Sequence, residues 1–438
     1  MGRSKEELKK AACEAIDRNR DKIIELGDSI FAEPELGYKE FKTSKKFQAA
    51  MDDLGFEYES GVAITGVIST QKSKESKMKV ALMGELDAVV VPEHPCADPI
   101  TGGAHACGHN CQIASVVGAA IAIKEANLME DLCGDIALMA VPSEEFVELE
   151  YRNKLREEGK ISFLGGKQEF VKLGVMDDVD VMVMQHTNNF CEGVIKANAG
   201  SPANGFVGKL VRYIGKEAHA GGAPFDGINA LNAAELGMMA IHANRETFRD
   251  EDHIRVHPII TKGGDLVNIV PSDVRIETYV RGARVEAILD ASNKVNRSLE
   301  AGAYAVGAQC KITELPGYLP VLPYQPLANL MCENLGELIG KEKVECISGS
   351  SGGSTDVGDI SHLMPTVHAY IGGAKGGAHC PDYEIEDKEM AYITAAKALI
   401  MTAIDLLADG AETGLEIKAG FKPALTKEDY LRDWGHLN

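Results

Sequence analysis

Cys107 and His109 are the residues of this sequence whose types and spacing first suggest metal chemistry. They stand between a strand-like apolar run at 79–84 and a longer apolar run at 113–123, which suits a buried helix. Both side chains are therefore expected near the first turn of that helix, where unpaired N–H groups and the helix dipole favour an anion such as a thiolate. A Cys-x-His pair occurs by chance in many chains, so it predicts a metal site only if further ligands join it.

Other residues that could bind metal follow further strand-like runs. The runs at 79–84, 135–141, 179–185 and 366–373 are each followed by acidic or histidine side chains. Because the carboxyl ends of parallel strands meet at one crevice, these side chains can lie together although they are far apart in the sequence. The residues concerned are Asp87, Glu144, Glu145, His186 and His379.

Glu144 and Glu145 are adjacent, which indicates a division of labour. One carboxylate can bind a metal while the other acts as a general base towards a water whose pKa the metal lowers. Taken alone, the pair also fits a solvated helix start, where acidic residues are favoured. His186 alone would similarly be an ordinary core or surface histidine. The joint occurrence of these residues at strand ends favours the metal site.

The order of elements predicts an α/β fold in two parts. Strands alternate with helices in residues 1–199 and 315–438, which predicts a catalytic domain with a doubly wound, mostly parallel sheet and a site at its strand ends. Residues 200–314 follow a β-α-β-β-α-β order, which fits an inserted, ferredoxin-like α+β domain. Segment 146–174 is charged and helix-prone. We expect a decoration or a subunit contact there, with a lid or a partner surface as alternatives.

Composition narrows the class of protein. The formal net charge of −21, without a basic run, argues against a nucleic-acid partner. We expect no membrane span, because no apolar stretch reaches about 18 residues, and the charged N-terminus lacks a signal core. The cytoplasm is the expected location. Ten cysteines without a Cys-x-x-Cys pair do not predict a disulfide framework, so Cys332 and Cys346 are expected to be small buried thiols.

The sequence resembles the co-catalytic metallopeptidase and aminoacylase family, in particular its amidohydrolase branch. That branch includes hydrolases of auxin conjugates, hippurate and aminobenzoyl-glutamate. Asn110, in place of a commoner Asp, and the segment 353–359 resemble the aminobenzoyl-glutamate side most. The motifs that carry the resemblance span nearly the whole chain in the expected order: 34–40, 105–110, 142–145, 186–187, 215–221, 268–271 and His379.

This resemblance implies roles for individual residues. Cys107 would bridge two metal ions, Glu144 would be the general base, and Asp87 would orient a ligand rather than bind metal. The remaining metal ligands would be His109, Glu145, His186 and His379. In the family, the histidine that matches His219 reaches into the neighbouring subunit and stabilises the oxyanion. This role requires a homodimer and makes the inserted domain a lid and dimerisation domain.

Two further residues are candidates for binding the substrate. Asn268 matches a family residue that helps to hold it. Arg281, at the end of a predicted strand, is our candidate for binding a substrate carboxylate bidentately, with a surface arginine as the alternative. Gln112, Glu33 and Glu85 stand where relatives often carry other residues. None of these departures removes a predicted ligand or the base, so they bear on substrate choice.

The sequence therefore predicts a metal-dependent amidohydrolase that cleaves the amide bond of an N-acyl amino acid, with an aromatic acyl group as one option, or of a dipeptide-like substrate. The cofactors would be two divalent ions per subunit, zinc or manganese first, with nickel or cobalt as alternatives. Alternative functions are a dipeptidase or carboxypeptidase, an aryl-amine aminohydrolase on the same site, a catalytically silent metal-binding protein, and hydrolysis with Cys107 as the nucleophile.

Overall fold

A mixed eight-stranded sheet forms the centre of the larger part of the protein in the computed structural model, which describes residues 2–190 and 194–436. Its central strands, from Asp135–Val141 to Thr366–Ile371 in the sheet, are parallel, so their carboxyl ends lie at one edge. In spatial order the strands are Glu59–Val62, Gly66–Gln71, Asp135–Val141, Lys79–Glu85, Val181–Thr187, Thr366–Ile371, Ala197–Asn198 and Val344–Glu345.

Helices cover both faces of this sheet, which explains why its central strands are apolar throughout. One face packs against the helices Lys5–Arg18, Arg20–Phe31, Phe41–Leu54, His109–Glu125, Gln325–Ile339 and Ala395–Leu407. The other face packs against Leu149–Glu157, Gly166–Leu173 and Val357–Ser361. Shorter helices near the end of the chain are Glu412–Gly420 and Lys427–Asp429.

The smaller part contains a five-stranded antiparallel sheet and two helices, Ala230–Asn244 and Val285–Val306, which share one core with it. Buried residues alternate with more exposed ones along Asp273–Gly282, as expected for a sheet with one face on a core. The strands are Gly205–Ile214, Arg255–Val256, Ile259–Lys262, Asp273–Gly282 and Gln309–Pro316. The predicted fold class is therefore confirmed, while the boundaries 1–199, 200–314 and 315–438 stay predictions.

Two short ribbons hold the loops that carry predicted ligands. Val89–Val90 pairs with Gly103–Ala104 just before Cys107, and Ala374–Lys375 pairs with Glu384–Ile385 on either side of His379. The two loops are joined directly, because the backbone N–H of His379 donates to the backbone oxygen of Ala106 at 2.8 Å. This bond brings two predicted ligands together from positions far apart in the sequence.

The prediction that segment 146–174 is a decoration is wrong. Its helices Leu149–Glu157 and Gly166–Leu173 contribute Leu155, Phe170 and Val171 to the core on one face of the large sheet. Even Arg152 and Lys167 of this segment are completely buried. Glu169 is buried as well, while other charged residues of the segment, such as Lys154 and Glu158, are exposed.

The expectation that Cys332 and Cys346 are thiols is wrong, and so is the premise that no apolar stretch reaches about 18 residues. Cys332 and Cys346 form a disulfide that links the helix Gln325–Ile339 to the residue after the edge strand Val344–Glu345.

One helix among the described residues, Glu389–Leu407, is long and apolar enough to cross a membrane, with a mean hydropathy of 1.5. However, 89% of that window is buried inside the protein, as in the core helix of many globular folds.

Replacing Gly166 with Ala is expected to destabilise the protein by about 2–3 kcal/mol, because overpacking forces backbone to shift. A Cβ at this position would lie 1.8 Å from the backbone oxygen of Pro142, at the end of a central strand. Gly349→Ala is the matched control, since nothing lies within 4 Å of its Cβ. Equal urea-unfolding midpoints for the two variants would contradict this close packing.

Candidate metal centre and active site

The helix His109–Glu125 presents the first two predicted ligands. Gly108 precedes it with a φ of 92°, and a Cβ there would lie 2.6 Å from Tyr383 Oη, so glycine permits the sharp turn between Cys107 and His109. Nδ1 of His109 lies 2.8 Å from the backbone oxygen of Asp87. Because Nδ1 donates to that oxygen, Nε2 is the nitrogen left to bind a metal.

All five predicted metal ligands lie together around the Cys107 thiol. Cys107 Sγ lies 3.4 Å from Nε2 of His186 and 3.4 Å from Nε2 of His379. Cys107, His109 and His186 form one group whose ligand atoms are within 4.8 Å of one another. Cys107, Glu145 and His379 form a second such group. The thiol is therefore the atom that the two groups share, as a bridging ligand would be.

The donor atoms of this cluster fit divalent cations. His109 Nε2 and Glu145 Oε1 are buried, and neither has a hydrogen-bond partner among the described residues. A buried polar atom without a partner is costly unless something else satisfies it. Thiolate, imidazole and carboxylate together are ligands that zinc and other divalent transition metals accept. These residues could therefore hold two cations on either side of Cys107.

The charge state of Cys107 supports a ligand role. Burial and the charge of Glu145 raise its pKa, but His186 and His109 outweigh them and lower the pKa to about 6. The thiolate therefore predominates at neutral pH, and it is the form of cysteine that binds metal. Burial raises the pKa of the nearby Cys111 to about 12, so that side chain stays a thiol.

Asp87 connects both glutamates to the start of the helix. Its Oδ1 accepts from the backbone N–H of Glu144 at 3.0 Å, and its Oδ2 accepts from that of Glu145 at 2.9 Å. The backbone oxygen of the same residue holds His109. Asp87 thus has the contacts that an orienting residue needs.

The electrostatics of Glu144 fit a proton acceptor. Burial, followed by the negative charges of Glu85 and Glu145, raises the pKa of Glu144 well above its usual value. A raised pKa strengthens a carboxylate as a base at neutral pH. Its Oε2 lies 4.0 Å from Nε2 of His109, which places the carboxylate beside the ligand groups.

A cavity of about 460 Å³ joins the metal cluster to Arg281. Nη1 of Arg281 donates to Ser354 Oγ at 2.7 Å, and the guanidinium lies against the rings of Phe206 and Tyr279. No carboxylate pairs with Arg281 within residues 2–190 and 194–436. The other lining residues include Cys107, Glu144, Glu145, His186 and His379.

The structure does not bring His219 and Asn268 to this cavity within one chain. Both are exposed and adjacent to each other, since the backbone oxygen of Asn268 accepts from Ala220 N at 2.9 Å. Arg281 pairs with Phe206 at one end of the strand Gly205–Ile214, whereas His219 follows the other end. The eight residue steps from Phe206 to Ile214 span roughly 27 Å. Any role of His219 at this cavity would therefore require a second copy of the chain.

Further residues lie beside the ligand cluster, although the sequence predicts no chemical role for them. Glu85 Oε2 lies 3.0 Å from His109 Nε2, and Glu85 pairs with the buried Lys167. His368 and Tyr370 line the cavity beside His186. His368 and Tyr370 are two positions apart on the strand Thr366–Ile371, so their side chains lie on the same face of the sheet. This spacing is the sequence signal that could have placed both of them beside the site.

A fold of this kind, with clustered metal ligands at the strand ends and a glutamate beside them, is typical of metallohydrolases. Residues 81–403 match the Peptidase family M20/M25/M40, and the chain therefore belongs to that family. It is a hydrolase that acts on amide or peptide bonds. The predicted family assignment is confirmed.

Similar proteins cover nearly the whole chain. A protein of Mus musculus named Xaa-Arg dipeptidase is 26% identical over 95% of this chain and 90% of its own length. IAA-amino acid hydrolase ILR1-like 4 of Arabidopsis thaliana is 24% identical over 87% of this chain and 85% of its own. The structure of the YXEP protein of Bacillus subtilis, described as a dinuclear metal binding peptidase, has a TM-score of 0.63 at 20% identity, covering 89% of this chain and 99% of that one.

Cys107→Ser is expected to reduce the bound metal to near zero, because both ligand groups lose their common thiolate. Metal content after dialysis, measured by plasma mass spectrometry, checks this. Cys111→Ser is the matched control, since Cys111 is a buried thiol close by that belongs to neither group. A Cys107→Ser protein with the metal content of the wild type would contradict the shared-ligand arrangement.

Proposed function

We propose that this protein is a homodimeric amidohydrolase that holds two divalent ions per subunit and cleaves the amide bond of an N-acyl amino acid or a dipeptide-like substrate. The single observation that carries the proposal is the pair of ligand groups sharing Cys107, with Glu144 beside them, at one end of a cavity that also contains Arg281. Zinc or manganese would be the ions, with nickel or cobalt as alternatives.

Glu144 would move the protons of the reaction. Cations bound by the two groups would lower the pKa of a water and polarise the scissile carbonyl. Glu144 would accept a proton from the attacking water and then donate it to the leaving amine. The hydrogen bond from its backbone N–H to Asp87 fixes the residue in the position that this role needs.

The cavity suggests how the substrate would be held. Arg281 would bind the carboxylate of the amino-acid part, because its guanidinium is held in place by a neutral serine and two rings. No other hydrogen bond of its side chain occurs among the described residues, which leaves N–H groups for a bidentate contact. Aromatic side chains form the walls nearby, which favours an apolar or aromatic acyl group. These side chains are Phe146, Phe206, Tyr279 and Tyr318.

His219 and Asn268 would act from the second subunit, His219 on the oxyanion and Asn268 on the substrate. Their exposure and their distance from the cavity of their own chain support this arrangement. Phe225 and Val267 are exposed apolar residues that lie near His219 and Asn268 in the sequence. Exposed apolar side chains of this kind are typical of a surface that another protein chain covers. The lid and dimerisation role of residues 200–314 rests on the same argument.

The alternatives differ in substrate rather than in site. A dipeptidase remains the second candidate, since the relatives include one named for Xaa-Arg dipeptides. Carboxypeptidase and aryl-amine aminohydrolase activities would use the same groups.

The cytoplasm stays a predicted location for the protein. The Cys332–Cys346 disulfide argues against it, because disulfides are rare in that compartment.

Glu144→Gln is expected to lower turnover by about 10²- to 10⁴-fold without loss of metal, because the amide cannot accept the proton. The assay uses a mass-spectrometric panel of N-acyl amino acids and dipeptides, including Xaa-Arg, with zinc- or manganese-loaded protein. Glu148→Gln is the control, since that side chain pairs with Lys39. Near-normal turnover by Glu144→Gln would refute the mechanism. A wild-type protein inactive on the whole panel would favour the catalytically silent alternative.

Mixing two inactive variants tests whether His219 acts across the dimer. Glu144→Gln and His219→Ala chains, refolded together at equal amounts, should regain about one quarter of the wild-type activity, since half of the dimers are mixed and each then has one intact site. Each variant alone, treated identically, is the control. If the mixture is as inactive as its components while sequential affinity purification of differently tagged chains shows mixed dimers, His219 does not act in trans.

A further inference from the structure

We propose that Glu85 is an additional metal ligand, which would bind the same cation as His109; these two residues and Glu144 form a further group whose ligand atoms lie within 4.8 Å of one another. The inference rests on the proposed function only in that this centre binds divalent ions. No role in chemistry follows for Glu85 from the sequence, where it appears only as a departure from related sequences.

The contact between Glu85 and His109 has the geometry of two ligands of one ion. Glu85 Oε2 lies 3.0 Å from His109 Nε2, yet that nitrogen has no hydrogen-bond partner among the residues that the structure describes. Glu145 Oε1 and His379 Nε2, both predicted ligands, show the same relation: they lie 3.0 Å apart, and Glu145 Oε1 has no hydrogen-bond partner there. Two atoms that each bind zinc at about 2.0–2.2 Å in tetrahedral geometry lie roughly 3.3–3.6 Å apart, so both contacts are close to the spacing of two ligands of one ion.

Glu85 is held in place as a ligand would need to be. The side chain is completely buried, and its Oε1 accepts from Lys167 Nζ at 2.5 Å. Its Oε2 accepts from Gln112 Nε2 at 2.6 Å, while the backbone N–H of Glu85 donates to Gln112 Oε1. A carboxylate oxygen can accept more than one bond, so Oε2 keeps a lone pair for a cation.

The balance of buried charges around Glu85 also favours a bound cation. Lys167 is its buried basic partner, but the same Nζ binds Asp356 Oδ1 at 2.5 Å. Glu85, Lys167 and Asp356 are all completely buried. Lys167 is thus shared between two carboxylates, and burying a carboxylate without full compensation is costly. A divalent ion bound by Glu85 and His109 would supply positive charge to this group of carboxylates.

Metal affinity and the absorption spectrum of the cobalt-loaded protein test this proposal. Glu85→Gln should weaken one of the two ions by more than about 100-fold, beyond the roughly 10–100-fold loss typical of residues that only support a ligand. It should also change the d–d absorption bands of Co²⁺, because the number and type of its ligands change. Metal content is measured by plasma mass spectrometry after dialysis against graded chelator concentrations.

Two companion variants separate ligand loss from misfolding. Glu85→Gln leaves Lys167 with a missing partner, so the double variant Glu85→Gln with Lys167→Met removes both charges and should show the same loss of one ion. Lys167→Met alone keeps the carboxylate and should retain both ions and the wild-type Co²⁺ bands. Circular dichroism confirms that each variant is folded before metal is counted.

The outcomes are distinguishable. If Glu85→Gln binds both ions with the wild-type Co²⁺ spectrum, or loses affinity without a change in that spectrum, Glu85 is not a ligand and the inference fails, although the proposed function stands. If the wild type binds no Co²⁺ or Zn²⁺, the proposed function fails together with the inference. A spectrum that changes in both variants lacking Glu85, but not in Lys167→Met, supports the assignment.

Discussion

Buried carboxylates at one edge of the large sheet require positive charge, and the arrangement of the site depends on this requirement. Removing a carboxylate from water is costly unless a cation or several hydrogen bonds compensate it. The protein supplies one buried lysine and a set of imidazoles, which do not match the number of acidic groups. The carboxylates concerned are Glu85, Asp87, Glu144, Glu145 and Asp356. Divalent cations are the simplest means of balancing such a cluster.

Asp87 links the parts of the chain that form this cluster. It follows one central strand, binds the backbone after a second strand through both carboxylate oxygens, and holds His109 through its backbone oxygen. A single residue thus sets the positions of Glu144, Glu145 and His109. Because these bonds involve mainly backbone groups, the geometry is determined by the fold rather than by flexible side chains, as a preorganised site requires.

The ligand set was predictable because its members follow apolar runs that could only be buried strands. The rule that parallel strand ends converge made Glu145, His186 and His379 candidates beside Cys107 and His109, and the family resemblance then implied that these five are the ligands. His186 differs slightly, since it lies within the strand Val181–Thr187 rather than after it. The geometry shows which of these side chains meet, while their roles in catalysis stay predictions.

The sequence contains no comparable pattern that would predict other parts of the site. Lys167 lies among charged residues, as a solvent-exposed lysine would, and its partners Glu85 and Asp356 are 82 and 189 positions away. A buried ion pair at that separation depends on tertiary packing, which periodicity does not report. The same holds for Cys332 and Cys346, which are 14 residues apart without a recognisable spacing motif. The burial of segment 146–174 could not be predicted either, because it too depends on tertiary packing.

Arg281 and His219 lie at opposite ends of the smaller sheet. Arg281 lies at the end that faces the cavity of its own chain, and His219 follows the opposite end of the neighbouring strand. If both contribute to hydrolysis, the length of that strand requires that they serve different cavities. Each active site is then composite, and in a symmetric dimer each chain gives and receives a histidine. Activity would in that case depend on protein concentration below the dissociation constant of the dimer, since a separated chain retains its metal ligands and its base but lacks the group for the oxyanion.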